Sequence, residues 1–209
     1  FKLDDSVMPA NAALSNLQLY GNVLFAAAHG NGVIVMDIED IYAPRIIYAG
    51  SKENIVDIDV YKDRLIAVSN EAGVRVIQLP GSLVVSTNVA HEKWLPLNSG
   101  FEVTFNEFMN IDSLTQQSAV IVTSTEEGQE LPVTITALDI TDHEGVAAAS
   151  RFNIQFDQNP STHYQIKIAN VSNVRGTGLI APFSQDLRTS SSEGLQPHVM
   201  HVDGGRVHK

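Results

Sequence analysis

The sequence predicts an all-β protein, and three observations support that prediction. The first half repeats itself, because residues 17–40 align without gaps on residues 58–81 at an offset of 41. The second half consists of short stretches in which apolar and polar residues alternate, with turn residues between them. No stretch sustains the 3.6-residue apolar period of a long helix. We therefore expect propeller blades in the first half and an antiparallel sandwich in the second.

Each copy of the repeat reads as short strands joined by turns. The tight turns are Gly21–Asn22 in the first copy and Lys62–Asp63 in the second. The copies share residue types at equivalent positions: Tyr20 and Tyr61, Leu24 and Leu65, Ala26 and Ala67, Gly32 and Gly73, Val35 and Val76. A period of about 40 residues with several strands per unit is typical of propeller blades. Since a ring needs about four blades or more, we expect residues 1–92 to end a larger propeller. Packing of these strands on the second half is the alternative.

The stretch GVIVMDIEDIYAPRIIYAG at 32–50 is similar to the LVIVD repeat of bacterial and archaeal β-propellers, in which a glycine, an apolar strand and an aspartate precede a turn with proline. The matching residues are Gly32, Val33, Val35, Met36, Asp37, Ile38 and Pro44. The resemblance covers about residues 14–86. The second copy departs from it, with Gln78 in the place of Asp37 and Pro80 arriving early. This departure indicates a last blade, after which the chain leaves the propeller.

A boundary follows the repeat. Residues 86–100 are polar, contain Pro96 and Gly100, and interrupt the strand pattern. They also contain Trp94, the one tryptophan of the chain, which we expect to fill the junction between the two halves. Beyond the boundary, alternation predicts strands at 101–105, 119–124, 132–138, 151–156 and 164–171.

Two longer motifs lie in the second half: FEVTFNEFMNIDSL at 101–114 and NPSTHYQIKIANVSNVRGTGLIAPFSQDLRTS at 159–190. They resemble the beginning and the end of the bacterial Ig-like domain of surface-layer proteins, and the resemblance spans about 98–190. The matching residues are Val103, Phe105, Glu107, Met109, Ser113, Leu114, Tyr164, Ile166, Ile168, Val171, Gly176, Leu179, Pro182, Phe183 and Thr189. Asn173 stands where Asp is usual, Asn170 stands for Gly, and Thr177–Gly178 alters a Gly-Asn turn, so turns change and the core does not.

The resemblance implies an Ig-like sandwich over residues 93–192. The tail, 193–209, is expected to be a linker or the start of a further Ig-like module, because it is similar to the entry strand of the IPT/TIG type. The predicted fold is therefore all-β: partial β-propeller blades plus an Ig-like antiparallel β-sandwich.

Composition excludes several function classes. The formal net charge of −11 repels phosphate backbones, so nucleic acid is not an expected partner. The chain has no cysteine, which excludes thiol catalysis, disulfides and thiolate metal sites. No apolar run reaches the roughly 18 residues that a transmembrane helix needs. The chain begins at Phe1 without a signal segment, and we expect it to be a piece of a longer, exported protein.

The acids Asp37, Glu39 and Asp40 close a strand that follows glycines, as in a nucleotide-binding strand. A nucleotide site needs the glycines to open a helix, whereas here another strand follows a proline turn. We expect these carboxylates to cap a turn, with ligand contact as the alternative. Asp57 and Asp59 lie on one face of a strand, where solvent-facing pairs with Lys62 and Arg64 are favoured over calcium.

One loop gathers enough oxygen ligands to suggest calcium. Asp139, Asp142 and Glu144 lie within DITDHEG at 139–145, although the spacing is not that of an EF-hand. A polar hairpin end is the alternative. In the tail, His198, His201 and Asp203 are zinc-type ligands, but two of them face opposite sides of a strand. No cofactor other than calcium is indicated.

Catalysis is not predicted. No serine lies in a G-x-S-x-G elbow, and no carboxylate pair or His–acid pair is fixed by spacing. We predict a non-catalytic structural and adhesive module at the bacterial cell surface or outside the cell. Its expected partners are other domains of the same parent protein and surface proteins or glycans. The alternative is an accessory binding or encapsulating segment of a secreted toxin or hydrolase whose active domain lies elsewhere.

Overall fold

The computed structural model describes residues 13–50, 52–89, 94–116 and 118–191, and it confirms the all-β prediction. Two antiparallel sheets form the first half. The first contains β1 (Ala13–Tyr20), β2 (Val23–His29), β3 (Gly32–Asp37) and β4 (Arg45–Ala49), in that order. The second contains β5 (Ile55–Tyr61), β6 (Arg64–Ser69) and β7 (Gly73–Gln78).

The two repeats use the same turn between their first two strands. Gly21, after β1, has φ +53°, and its counterpart Lys62, after β5, has φ +52°. Positive φ is what a two-residue hairpin requires, because it matches the twist of the flanking strands. Glycine adopts this conformation freely, whereas lysine adopts it at a steric cost. Both predicted tight turns are therefore present.

The two sheets of the first half share one apolar layer. It contains Phe25, Ala27, Val33 and Val35 from the first sheet and Ile55, Ile58, Leu65 and Ala67 from the second. Equivalent positions of the repeat also touch directly. The Ser15 hydroxyl donates to the Val56 carbonyl at 2.7 Å, and the Asn16 amide donates to the Asp57 carboxylate, both across 41 residues. Successive repeats therefore pack side by side, and the arrangement is propeller-like, as predicted.

The second half is a two-sheet sandwich. One sheet has the order β11-β10-β15-β16, and the other has the order β12-β14-β9-β8, with β13 beside β14. The strands are β8 (Val84–Thr87), β9 (Phe101–Asn110), β10 (Val120–Ser124), β11 (Gln129–Leu131), β12 (Val133–Ala137), β13 (Thr141–His143), β14 (Val146–Phe156), β15 (His163–Ile168) and β16 (Phe183–Arg188). A single helical turn, α1 (Ile111–Leu114), follows β9. Within the described ranges, no helix is long and apolar enough to cross a membrane.

Both sandwich sheets contribute to one core. Phe101, Val103 and Phe105 alternate inward along β9, as a half-buried strand requires. The Phe105 and Phe152 rings meet edge to face, with centroids 5.9 Å apart. Each of the five stretches that alternation predicted as strands in this half overlaps an observed strand. The prediction is therefore confirmed for β9, β10, β12, β14 and β15.

The strand β8 differs from the expectation for its part of the sequence. Residues 86–100 were expected to interrupt the strand pattern, yet β8 includes residues 86 and 87 and pairs antiparallel with β9, with Thr87 opposite Val103. At the repeat offset, residues 86–90 correspond to β4 of the first sheet. The chain therefore gives to the sandwich a segment that the repeat would place in the second sheet.

The prediction for Trp94 is wrong. Its side chain is 51% exposed and lies under the Arg188 guanidinium, 5.0 Å from the ring centroid. The next residue, Leu95, is fully buried. Its N–H donates to the Arg188 carbonyl, and its carbonyl accepts the Ser190 N–H. Because successive side chains of extended backbone point to opposite sides, the burial of Leu95 turns Trp94 outward.

Candidate functional site

The segment 79–84 joins the second sheet to the sandwich, and its side chains belong to both cores. Leu79 and Leu83 are buried in the apolar layer between the first two sheets, which also includes Ala181 from the sandwich. Val84 is buried in the sandwich core. The two halves are therefore joined by packed apolar side chains and not by a free linker. We call this contact, made by residues 79–84 and 178–181, the junction.

Backbone hydrogen bonds fix the junction. The Ser82 N–H donates to the Gly178 carbonyl at 2.9 Å, and the Ile180 N–H donates to the Ser82 carbonyl at 3.0 Å. The backbones approach so closely that a Cβ on Gly81 would lie 2.6 Å from the Gly178 oxygen. Gly81 is required here because no side chain fits between the two backbone segments.

A polar cluster covers the side of the junction. The Asn106 amide donates to the Lys62 carbonyl at 2.8 Å, and its oxygen accepts the Leu83 N–H at 2.7 Å. The Arg175 guanidinium, from the sandwich, lies 2.9 Å from the Asp63 carboxylate and 2.6 Å from that of Glu107. One arginine thus connects the β5–β6 turn to β9.

Within the polar cluster beside the junction, Asp63 has a shifted pKa. Burial raises its pKa, but the hydrogen bond from Arg175 and the positive charges of Arg64 and Arg175 outweigh that effect. The net pKa of Asp63 lies below its ordinary value. The ionised form is therefore the one that the folded junction favours.

The acids that end β3 cap a turn, as expected. The Asp37 carboxylate accepts the Glu39 N–H at 3.0 Å and pairs with Arg45 at 3.1 Å. Asp40 accepts the Tyr42 N–H at 2.9 Å. Glu39 instead reaches the sandwich, where Lys167 lies 3.3 Å away. That pair is partly exposed, so it contributes little to stability.

Asp57 and Asp59 have other partners than those expected. Each accepts the backbone N–H of the following residue, at 3.0 and 2.8 Å respectively. Arg64 pairs with Asp63 at 3.4 Å, and the Lys62 ammonium lies over the Tyr61 ring. The expected ion pairs are absent because Lys62 occupies the hairpin turn and Arg64 pairs with the adjacent turn residue Asp63.

The calcium candidates lie around the β13–β14 hairpin. Asp139 lies 3.5 Å from Arg151, the Asp142 carboxylate accepts the Gly145 N–H at 3.0 Å, and Glu144 has φ +55° in the turn. In the part of the chain that the structure describes, no group of three or more His, Asp or Glu side chains is placed to hold a metal ion. Calcium binding by these residues remains a prediction. His198, His201 and Asp203 lie outside the described residues, as does the predicted module start at 193–209.

Sequence reasoning did not predict the contacts of the junction or of the polar cluster beside it. Gly81 and the turn residue Asp63 have no distinctive motif, and Arg175 meets Asp63 across 112 residues of chain. The early Pro80 was the one available signal, because it ends the second copy of the repeat.

Replacing Gly81 tests the close backbone approach. We expect Gly81→Ala to lower the free energy of unfolding by about 1–3 kcal/mol, since a backbone segment must move to admit the methyl group. The matched control is Gly178→Ala, whose Cβ would meet its nearest atom at an ordinary 3.5 Å. Urea unfolding of both variants measures the difference, and equal stability would contradict the packing described for the junction.

The shifted titration of Asp63 predicts a pH dependence of stability. Because folding lowers the pKa of Asp63 below its ordinary value, the contribution of the ionised carboxylate to stability is fully present above the unfolded pKa. It is lost as the pH falls through the lowered pKa. We expect Asp63→Asn to be less stable than the native chain at neutral pH, and the difference to shrink at acid pH. Asp186→Asn, at an exposed carboxylate outside the junction, controls for loss of one charge. A difference that does not change with pH would contradict the role of Asp63.

The calcium prediction has a direct test. If Asp139, Asp142 and Glu144 bind calcium, excess calcium raises Tm relative to EDTA by mass action on the folded state, and Asp142→Asn removes the rise. Thermal unfolding followed by circular dichroism measures both. An unchanged Tm would remove the site.

Comparison with known proteins agrees with the sandwich. The family model described as bacterial Ig-like domain matches residues 80–190, which confirms a bacterial Ig-like domain in the region of the resemblance at 98–190 and extends it to include β8. No curated protein and no solved structure matches the chain. Domains of this family are generally non-catalytic and occur in bacterial surface proteins. With more than half of its residues matched by that model, the chain belongs to the bacterial Ig-like domain family.

Proposed function

We propose that this chain is a non-catalytic structural and adhesive module of a large exported or cell-surface bacterial protein. The observation that carries the proposal is the junction, which joins a propeller-like pair of sheets to a bacterial Ig-like domain through packed side chains. A module of this kind holds two binding surfaces in a fixed relation. Its partners would be other domains of the parent protein and surface proteins or glycans.

Several features support a contact function over a catalytic one. The acids that end β3 are engaged in turn capping and ion pairs. Apolar side chains are exposed on strands of the first two sheets, where a partner could reach them: Leu17, Leu19, Tyr48, Val74 and Val76. These side chains lie on β1, β4 and β7, and neighbouring exposed apolar side chains such as Val74 and Val76 are typical of interaction surfaces. We also infer that the first two sheets derive from an LVIVD-type propeller and that the sandwich is of the surface-layer type.

Surface display and adhesion can be tested together on the bacterium that encodes the chain. We expect an antibody raised against the purified chain to label intact cells and protease treatment of those cells to remove the label. Beads coated with the folded chain should be retained on immobilised cell-envelope protein or glycan more strongly than beads coated with the heat-unfolded chain. Labelling that requires permeabilised cells would contradict surface display, and equal retention of both kinds of bead would contradict adhesion.

A further inference from the structure

The second sheet lacks a strand that the first sheet has. In the first sheet β4 pairs with the outer edge of β3, whereas in the second sheet β7 pairs only with β6 among the described residues. β7 is the repeat counterpart of β3, since Gly32 and Gly73 begin the two strands at the offset of 41 residues. The counterpart of β4 is 86–90, and this segment begins within β8, which pairs with β9 of the sandwich. The open edge of β7 is thus a consequence of how the chain enters the sandwich.

The backbone of β7 presents hydrogen-bonding groups at that edge. The Leu79 N–H donates to the Asp63 carbonyl at 2.9 Å, and this bond shows which residues of β7 are hydrogen-bonded to β6: every second residue counted back from Leu79. Because bonded and non-bonded pairs alternate in an antiparallel ladder, Val74, Val76 and Gln78 direct their N–H and C=O groups away from β6. The counterpart of Val74 is Val33, whose carbonyl accepts the Gly50 N–H at 2.8 Å beside β4. No strand of the described ranges pairs with this edge of β7, so the groups that β4 satisfies in the first sheet can receive a strand in the second.

Side-chain exposure differs between the two sheets because their faces are covered differently. Val33 and Val35 are 4% and 6% exposed, since they are buried in the apolar layer that the two sheets share. Val74 and Val76, their counterparts on β7, are 67% and 63% exposed. An exposed edge strand with apolar side chains is a template for another strand. β7 contains no proline and no acid, and its one charged side chain, Arg75, is paired with Glu53.

A cavity of about 200 Å³ lies beside this edge, between the two sheets. Its lining is mainly apolar and includes Phe25, Val35, Ile47, Leu65, Ile77 and Ile180. Arg75 also lines it and pairs with Glu53 at 2.8 Å. A dry apolar cavity of about 150 Å³ holds a benzene molecule, so this cavity has room for an aliphatic side chain.

The first sheet shows which side chain of an added strand would enter the cavity. Ile46 on β4 lies opposite Met36, and the counterpart of Met36 is Ile77. Side chains that lie opposite each other in a sheet share one face. A residue opposite Ile77 would therefore point into the cavity, as Ile77 itself does.

We propose that β7 and the adjacent cavity form a binding site for an extended peptide segment of a partner protein. The segment adds to the sheet as a fourth, antiparallel strand, and an aliphatic residue opposite Ile77 fills the cavity. Main-chain hydrogen bonds to Val74, Val76 and Gln78 supply affinity, and the cavity supplies specificity, as in other cases of strand addition. This proposal rests on the contact function proposed above and names the surface and the chemical class of the partner.

A second copy of the chain fits the site less well. Two copies could pair through β7 with Val76 of one copy opposite Val76 of the other. This register places Val74 opposite Gln78, so the outward backbone groups of all three residues are hydrogen-bonded. It also places Arg75 of the second copy opposite Ile77. This would place a second guanidinium at the cavity, where Glu53 is already paired with the chain's own Arg75, so the added charge would lack a carboxylate partner there. The net charge of −11 on each copy also opposes association. A partner segment with an aliphatic residue at that position avoids the first of these costs.

The β4 sequence provides a probe, because β4 binds the counterpart edge within the chain. A labelled synthetic peptide APRIIYAG, residues 43–50, is titrated with the intact chain and followed by fluorescence anisotropy. We expect saturable binding that is lost when the peptide carries Ile46→Asp, since a carboxylate cannot enter the cavity without a partner. A peptide of the same composition in scrambled order is the control.

Two backbone changes locate the bound peptide. Val76→Pro in the chain removes an outward N–H without removing a β6–β7 hydrogen bond, as edge strands tolerate, and should weaken binding roughly tenfold. Val76→Thr keeps the N–H and should bind nearly as well as the native chain. N-methylation of the peptide at Tyr48, the residue opposite Val35 in the first sheet, tests the same hydrogen bonds without altering the chain.

Three results would overturn the proposal: no saturable binding up to millimolar peptide, binding that neither Val76→Pro nor the N-methylated peptide weakens, or self-association of the chain in analytical ultracentrifugation that Val76→Pro abolishes. Failure of the proposed function is distinguishable from these results. If adhesion persists in Val76→Pro and the peptide does not bind, the strand-addition site is wrong while the contact function holds. If the peptide binds as expected and the cells show no surface label, the site holds and the surface function is wrong.

Discussion

The contact of segment 79–84 with residues 178–181 is the constraint on which the rest of the structure depends. Gly81 lies against the backbone of the sandwich. The Ser82 N–H donates to the Gly178 carbonyl, and the Ser82 carbonyl accepts the Ile180 N–H. Because the side chains on either side of this contact enter different cores, the packing of one half restricts the position of the other. A flexible linker would leave the two halves free to move relative to each other, as linked domains usually do.

The same contact explains the asymmetry of the two repeats. The chain reaches the sandwich directly after β7, so the next segment forms β8 on the sandwich sheet. The first sheet keeps four strands and the second keeps three. The sandwich sheet gains β8, and the second sheet is left without a fourth strand beside β7. A strand from another source could form hydrogen bonds with the same backbone groups of β7. The open edge of β7 and the packed side chains of the junction are therefore two results of one chain path.

Much of the fold and part of the candidate site could be predicted from the sequence. The 41-residue repeat indicated the strands and the turns at Gly21 and Lys62, because local periodicity and turn geometry are encoded within a few residues. The turn-capping role of Asp37 followed from the strand and proline turn beside it. The prediction for Trp94 was wrong because, of two adjacent apolar residues in extended backbone, only one can point into the core. In the structure that residue is Leu95. The partners of Asp57 and Asp59 were wrong for a related reason, as Arg64 had a nearer carboxylate in Asp63.

By itself, the sequence determined the all-β class, the repeat, the family of the second half and the absence of thiol chemistry. Each of these depends on composition or on spacing within short segments. Only the tertiary structure decided that β8 joins the sandwich, that Arg175 bridges Asp63 and Glu107, and that Val74 and Val76 remain exposed. These features depend on contacts between residues far apart in the chain. Such contacts are set by which surfaces meet when the sheets pack, and no local pattern encodes that choice.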